Sequence, residues 1–335
     1  MDDSLKALPK AEVHIHLEGS LDIDEVIALA QSLETSLPRP RDQLLAFSGL
    51  TDFLHFLDWM CSLYETPDQI SAAAYFFARR MQRSGVQYAD MIVNPTHWPH
   101  WRRKLSGFIA ALDSGLAAAE HDGLPPVGLC VSLLRQQSAD EAIELVEALT
   151  ANRRPRVVAL SVDGNEKLAG RTGPRFADAF RRAGAKGLKR TVHAGESSGP
   201  EGVRDAVEYL GADRIDHGVR AIEDTAVVQL LVERQIPLGV CPTSNLTLGL
   251  YERIEDHPIE RLRLAGVLVS VNTDDPVLLQ TDLPTEYARC AAAFNWNAET
   301  IRRVAATSIS ASFAPAQLKE ALLARVAAWQ EKQRI

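Results

Sequence analysis

Several features that would place this chain in a specialised class are missing from it. No apolar run approaches the ~20 residues of a transmembrane helix. The N-terminal stretch MDDSLKALPK lacks the apolar segment of a secretory signal peptide. The few cysteines form no CxxC pair, which favours reduced, mostly buried thiols over a disulfide framework; they are Cys61, Cys130, Cys241 and Cys290. We therefore expect a cytoplasmic protein that does not associate with membranes.

Long basic runs are missing as well. The chain has 36 Lys and Arg against 44 Asp and Glu, a net charge of −8, which argues against a nucleic-acid-binding surface. No repeat of fixed period and no low-complexity linker divides the 335 residues, of which 46% are hydrophobic and 24% charged. Nothing indicates an obligate protein partner, and a small-molecule ligand is the expectation.

The chain does contain a recurring unit, a short apolar run rich in β-branched residues followed by a helical pattern. The predicted strands are residues 11–16, 86–93, 127–133, 156–162, 189–193, 213–216, 237–240 and 267–272. Helical periodicity marks residues 69–83, 106–120, 138–149 and 174–185. This alternation predicts an α/β fold with a parallel sheet, and eight strands close a (β/α)₈ TIM barrel. One barrel domain over residues 1–335 is the prediction.

A long connection follows the first predicted strand. Within residues 32–70, the apolar side chains Phe53, Phe56, Leu57 and Met60 recur at helical spacing. This predicts a helical insertion that acts as a lid over the barrel mouth and excludes water from a bound substrate. The alternative is an extra helix that only packs on the barrel. Residues 299–331 predict two or three C-terminal helices.

Side chains capable of chemistry lie where predicted strands end. His14 and His16 lie two residues apart and so share one face of the first strand, while His193, His217 and Asp274 follow later strands. In a barrel these ends converge on the face that carries active sites. Three histidines and one carboxylate suit a catalytic zinc ion with a position left for water. Such an ion lowers the pKa of that water towards neutrality.

Each of these residues also has a structural interpretation. Glu196 follows His193 at a distance suited to proton transfer, but it could instead pair with a helix N-terminus. Asp275 precedes a proline and could be a helix cap. Two histidines at this spacing can simply hydrogen-bond. The convergence of four strand-end histidines with a pair of aspartates favours a functional site.

The motifs PKAEVHIHLEGS, VDGNE, HAGE, IDHGVR, CPTSN and SVNTDDP, in this order, resemble those of the adenosine deaminase family of the amidohydrolase superfamily. The resemblance runs from about Leu8 to about Pro315. It implies a (β/α)₈ barrel with one Zn²⁺ per chain that hydrolyses the exocyclic amine of a 6-aminopurine and releases ammonia.

The resemblance also implies residue roles. The zinc ligands would be His14, His16, His193 and Asp274. Glu196 would protonate the purine N1, and His217 would orient the hydroxide. The substrate-binding groups would be Asp275 at N7, the Gly164 backbone N–H at N3, Glu18 near the sugar, and His16. Attack at C6, protonation at N1 and loss of ammonia each need one of these groups.

Substrate identity depends on positions that depart from the family pattern. Glu18 stands where animal adenosine deaminases carry Asp, Ser161 stands where the family usually has Asp, and residues 94–98 (NPTHW) are unusual for the nucleoside enzymes. The run 276–281 (PVLLQT) favours a nucleoside. We expect adenosine or 2′-deoxyadenosine as substrate, with adenine or a modified aminopurine nucleoside as alternatives.

Two further classes compete with the deaminase hypothesis. A non-catalytic purine-binding relative would not need the proton-transfer groups Glu196 and His217, which are both present. A two-metal barrel hydrolase, such as a phosphotriesterase, usually needs a bridging lysine. The fourth predicted strand instead ends in Ser161, Val162 and Asp163.

Overall fold

Eight parallel strands follow one another around a barrel in the order of the chain. The computed structural model describes residues 3–151 and 153–329. The strands are β1 (Lys10–His16), β2 (Val86–Val93), β3 (Val127–Leu134), β4 (Val157–Asp163), β5 (Lys189–Ala194), β6 (Arg214–His217), β7 (Leu238–Val240) and β8 (Val269–Val271). The predicted (β/α)₈ barrel is confirmed, and each strand lies within a few residues of its predicted position.

Helices fill the connections and surround the sheet. They are α1 (Asp3–Ala7), α2 (Ile23–Ser32), α3 (Leu50–Ser62), α4 (Pro67–Arg83), α5 (Leu105–His121), α6 (Ala139–Ala151), α7 (Glu166–Ala169), α8 (Gly173–Ala185), α9 (Pro200–Glu208), α10 (Thr225–Arg234), α11 (Pro242–Thr247), α12 (Ile259–Leu264), α13 (Leu283–Phe294), α14 (Ala298–Ala311) and α15 (Ala316–Ala328). Short 3₁₀ turns connect some of them. The last two helices, α14 and α15, match the prediction for the C-terminal region.

Local sequence sets where several helices begin. Before α6, the Ser138 hydroxyl accepts from the Glu141 N–H, and the Glu141 carboxylate accepts from the Ser138 N–H. Before α4, Thr66 and Gln69 make the same reciprocal pair. Such a capping box satisfies backbone donors that a helix start leaves unpaired.

The first and last strands meet along a seam that has few ladder hydrogen bonds. One isolated bridge joins Ile15 to Asp274. The Asn272 side chain supplies further contacts, since its Oδ1 accepts from the N–H groups of Val13 (2.8 Å) and His14 (3.2 Å). Below it, the Thr273 N–H and hydroxyl both donate to the buried Glu12 carboxylate. Side chains therefore complete the closure of the barrel.

The connection between β1 and β2 contains α2, α3 and α4, so the predicted insertion is helical. The four apolar residues predicted to form a lid, Phe53, Phe56, Leu57 and Met60, all lie on α3 and are all buried. The four cysteines are buried free thiols, as expected. Among the described helices, none is long and apolar enough to cross a membrane.

Candidate active site

Five of the predicted side chains meet at the carboxyl end of the barrel. His14 and His16 end β1, His193 lies on β5, His217 ends β6, and Asp274 follows β8. The imidazoles of His14 and His193 pack edge to face, with ring centroids 4.6 Å apart. His14 and His16 point to the same side, but no hydrogen bond joins them to each other among the contacts of the described residues. Both imidazoles instead approach His193.

The spacing of the donor atoms suits one metal ion. The Nε2 of His193 lies 3.1 Å from that of His14 and 3.0 Å from that of His16. The Oδ1 of Asp274 lies 3.1 Å from His14 Nε2 and 3.4 Å from His16 Nε2. Ligands placed tetrahedrally at ~2.1 Å from zinc lie ~3.4 Å from one another. These four groups can therefore surround one ion with little rearrangement.

His217 approaches the same cluster from the next strand. Its Nε2 lies 3.4 Å from Glu196 Oε1 and 3.8 Å from Asp274 Oδ2. The ligand atoms of His14, His193, His217 and Asp274 all lie within 4.8 Å of one another, so this set is also compatible with one ion. Distances alone thus leave His16 and His217 as alternative members of a single metal site.

The contacts of each ring nitrogen differ. His14 Nδ1 lies 2.8 Å from the Gly239 carbonyl oxygen, and His193 Nδ1 lies 3.5 Å from the buried Asp216 carboxylate. The Gly239 acceptor keeps the proton of His14 on Nδ1 and leaves its Nε2 lone pair free for a metal, whereas His193 Nδ1 has no hydrogen-bond partner among the described residues. The other oxygen of Asp274, Oδ2, accepts from the Ser244 hydroxyl at 2.7 Å.

Two of these residues have an unusual backbone. His217 and Asp274 adopt positive φ angles of 66° and 65°, in the left-handed region that L-residues with side chains seldom occupy. Such conformations cluster at functional sites, where the surrounding structure holds them in place. They turn each side chain inward at the point where its strand ends.

Glu196 is held by a second glutamate. The Glu166 carboxylate accepts hydrogen bonds from the N–H groups of Gly195 (3.0 Å), Glu196 (2.9 Å), Ser197 (3.0 Å) and Ser198 (3.1 Å). Burial opposes its charge, but Arg135 and these N–H donors hold the pKa of Glu166 below its usual value. Helix α9 begins only at Pro200, so Glu196 is not a helix-terminal residue. Glu166 therefore fixes the loop that carries Glu196.

The carboxyl groups of the site differ in the direction and cause of their pKa shifts. Burial, Asp274 and Glu166 raise the pKa of Glu196 to about 8. Asp274 and Asp275 are neighbours with opposite shifts. Burial would raise the pKa of Asp274, but the histidines hold it well below its usual value, whereas burial and the Asp274 charge raise the pKa of Asp275. Asp275 therefore favours the protonated form more than Asp274 does, and it precedes a turn rather than a helix.

Close packing surrounds Asp275. A Cβ atom on Gly19 would lie 1.9 Å from Asp275 Oδ1, so only glycine fits opposite this carboxyl group. The Oδ1 atom has no hydrogen-bond partner within the protein. Gly164 lies beside it in the same cavity and has a φ of 98°.

Many of these groups line one cavity, although His14 and Glu166 are not among its lining residues. Its lining consists of His16, Glu18, Phe53, Leu54, Leu57, His97, Asp163, Gly164, His193, Glu196, His217, Leu248, Asp274 and Asp275. Of the four predicted lid residues, Phe53 and Leu57 reach it. Phe56 and Met60 are not among its lining residues, and the Phe56 ring packs on Phe47 instead. Ser161 lies buried on β4 and is not among them either.

Asn94 joins two buried carboxylates on one wall of this cavity. Its backbone N–H donates to Glu18 Oε1 (2.8 Å), and its side-chain amide donates to Asp163 Oδ1 (2.6 Å). The indole of Trp98 also donates to Glu18 Oε1 at 2.8 Å. The second oxygen of each carboxylate, Glu18 Oε2 and Asp163 Oδ2, has no hydrogen-bond partner in the part of the chain that the structure describes. The sequence marked residues 94–98 as unusual but gave no sign that they hold these carboxylates.

A further contact joins helix α3 to this wall. His97 Nδ1 lies 2.6 Å from the Asp58 carboxylate on α3. Burial opposes protonation, but Asp58 and the nearby Asp163 and Glu18 raise the pKa of His97. His97 and Asp58 come together only through the fold, so sequence reasoning missed this pair.

Comparison with known proteins gives consistent results. A family model described as adenosine deaminase matches residues 9–329. An aminodeoxyfutalosine deaminase of Streptomyces avermitilis is 34% identical, covering 97% of this chain and 93% of the relative. An adenine deaminase of Cupriavidus taiwanensis is 33% identical, covering 97% of this chain and 93% of the relative.

Solved structures agree with the fold. The adenine deaminase of Arthrobacter aurescens superposes with a TM-score of 0.90 at 30% identity, covering 96% of this chain and 99% of that one. An amidohydrolase from Burkholderia ambifaria, solved with bound zinc, has a TM-score of 0.90 at 27% identity, covering 97% and 91%.

Proposed function

The chain belongs to the adenosine deaminase family, and from this premise we propose that it hydrolyses the exocyclic amine of an uncharged 6-aminopurine, with free adenine as its preferred substrate. The family and its relatives support a hydrolase that acts on C–N bonds and deaminates an aminopurine-type substrate. The specific substrate and the roles below are our proposal.

The proposed metal site holds one zinc ion between His14, His16, His193 and Asp274. Their donor spacing and the zinc-bound relative support this assignment. Imidazole nitrogens and carboxylate oxygens are ligands that zinc accepts in catalytic sites. When bound, zinc supplies a Lewis acid that makes water nucleophilic near neutral pH.

The surrounding residues supply proton transfer and orientation. Glu196 is protonated near neutral pH because of its raised pKa, so it is suited to protonate N1 as C6 is attacked. Asp275, also protonated, would donate to N7, and the Gly164 N–H would donate to N3. Both hydrogen bonds draw electron density from the ring.

The single observation that supports free adenine best is the fixed Glu18 carboxylate. Its Oε1 is held by Asn94 and Trp98, while its buried Oε2 has no partner. The N9–H of free adenine would satisfy this oxygen, and the bond would stabilise the ionised carboxylate against the burial that raises the pKa of Glu18. A sugar on N9 removes that donor.

A nucleoside is the second candidate, for a specific reason. Asp163 Oδ2 is another unpartnered acceptor on the same wall, and a sugar hydroxyl could donate to it. This agrees with the expectation of adenosine or 2′-deoxyadenosine, and the relative named aminodeoxyfutalosine deaminase makes that compound a further candidate.

Side-by-side kinetics decide between them. We expect adenine to be deaminated with kcat/KM at least about tenfold above adenosine and 2′-deoxyadenosine, since an unsatisfied buried polar group commonly costs ~1–3 kcal/mol. Ultraviolet absorbance and ammonia release are the measurements. A preference for a nucleoside would refute the choice of adenine, and inactivity on all aminopurines, aminodeoxyfutalosine included, would refute the deaminase proposal.

A further inference from the structure

A chain of hydrogen bonds leads from the start of α12 to His217. The backbone N–H of Ile259 donates to His257 Nδ1 at 3.2 Å. His257 Nε2 lies 3.1 Å from Asn245 Oδ1, and Asn245 Nδ2 lies 3.3 Å from His217 Nδ1. All three side chains are buried, so water does not compete for these contacts.

The direction of each bond follows from the first. A backbone N–H can only donate, so His257 Nδ1 must be an acceptor and the proton of a neutral His257 lies on Nε2. That proton points at Asn245 and requires the amide oxygen to face it. The amide nitrogen then faces His217, and its N–H can bond only to an unprotonated Nδ1. A neutral His217 therefore carries its proton on Nε2.

Both imidazoles are neutral in this environment. Burial, together with the neighbouring His217, lowers the pKa of His257 to about 3. The Asn245 N–H keeps His217 neutral as well, because an imidazolium would present a second N–H to it at Nδ1. The Nε2 of His217 lies 3.4 Å from Glu196 Oε1 and 3.8 Å from Asp274 Oδ2, and such acceptors suit a nitrogen that bears a proton.

The contrast with the other histidines is informative. His14 has an acceptor at Nδ1, the Gly239 carbonyl oxygen, which leaves its Nε2 lone pair free. His217 has a donor at Nδ1, which leaves Nε2–H. Asn245 and His257, which are not among the cavity-lining residues, thus distinguish His217 from His14, although the two rings lie 4.5 Å apart.

We propose that Asn245 and His257 are positioning residues that hold His217 in the Nε2-protonated tautomer. In this form His217 is a hydrogen-bond donor to the attacking oxygen and not a metal ligand. The role of His217 as a donor to the attacking oxygen rests on the proposed function, whereas its tautomer does not.

The tautomer can be observed directly. Long-range ¹H–¹⁵N correlation spectra of ¹⁵N-histidine-labelled, zinc-loaded protein distinguish the two neutral forms, and the signals lost in His217→Gln identify His217. We expect wild-type His217 to show a protonated Nε2 and an unprotonated Nδ1. Protonation at Nδ1 in the wild type would overturn the proposal whatever the variants do.

Variants test each position. Asn245→Asp presents an acceptor to Nδ1, so we expect the His217 tautomer to switch and kcat to fall ~10–100-fold, with zinc content and KM little changed. His257→Leu should give mixed tautomers and a smaller loss of kcat. His257→Gln can still donate to Asn245 and should restore the wild-type tautomer.

The control variant is His121→Leu. His121 is exposed at the end of α5, so this change should leave the His217 signals and kcat unchanged. An unaltered His217 tautomer in both Asn245→Asp and His257→Leu would contradict the proposal. Failure to deaminate any aminopurine would refute the proposed function alone, because the tautomer is read without substrate.

Discussion

At the scale of single residues, neighbouring carboxyl groups acquire opposite properties from their surroundings. Asp274 faces His14 and His16 and favours the ionised form, while Asp275 faces other carboxylates and favours the protonated form. One can therefore serve as a metal ligand and the other as a hydrogen-bond donor. Pairs of groups whose pKa values are separated in this way identify acid and base roles.

Glu196 gives the first residue-scale prediction. Glu196→Gln should keep zinc and fold but lower kcat by ~10²–10⁴-fold, since the amide cannot transfer the proton. The acid form is the active one, so wild-type kcat/KM should hold steady below the Glu196 pKa of about 8 and fall as pH rises through it. Steady-state kinetics over pH 6–10, with zinc analysis, measure both. Unchanged turnover at normal zinc content would place the acid elsewhere.

Glu166 gives the second residue-scale prediction. Glu166→Gln would set an amide N–H₂ against a loop of N–H donors, and an unsatisfied buried group costs ~1–3 kcal/mol. We expect a lower melting temperature and kcat reduced at least about tenfold. The matched control is Glu201→Gln, because Glu201 is an exposed carboxylate on α9. Equal kcat in the two variants would show that Glu166 does not position Glu196.

At the scale of elements, α3 has two faces with different tasks. Phe53 and Leu57 line the cavity, whereas Phe56 packs on Phe47 and beside Trp59. Leu57→Ala should raise KM for the substrate because the cavity loses an apolar wall. Phe56→Ala should lower the unfolding free energy by ~3–5 kcal/mol with KM nearly unchanged. Denaturant unfolding and kinetics on both variants separate the two faces, and a larger KM change for Phe56→Ala would reverse the assignment.

The elements also show how far the sequence could be read. Periodicity located the strands and helices, and the strand-end rule brought His14, His193 and Asp274 together. The residues that support the site could not be predicted. Asn94 follows β2 and meets Asp163 at the end of β4, and Asn245 on α11 meets His257 in the segment before α12. Those pairings depend on loop paths, which hydrophobic periodicity does not encode.

At the scale of the whole molecule, negative charge disfavours the entry of anionic substrates into the cavity. The net charge is −8, and no Lys or Arg is among the described residues that line the cavity, whereas several carboxylates are. We expect AMP to be deaminated with kcat/KM at least about 30-fold below that of adenosine, since like charges brought together cost several kcal/mol. Both are measured by ultraviolet absorbance under identical buffer. AMP turnover equal to that of adenosine would contradict this electrostatic selection.

The seam between β1 and β8 has a consequence for folding. Val13 and Asn272 lie 259 residues apart, and among the described residues side-chain hydrogen bonds and one isolated backbone bridge join this part of the seam. The proposed ligands lie on both sides of this seam, so a bound ion would act as a cross-link that closes nearly the whole chain into a loop. Cross-links across long loops restrict the unfolded chain most. Removal of zinc should therefore speed amide hydrogen exchange first in β1 and β8, while exchange in β3 and β4 stays slow.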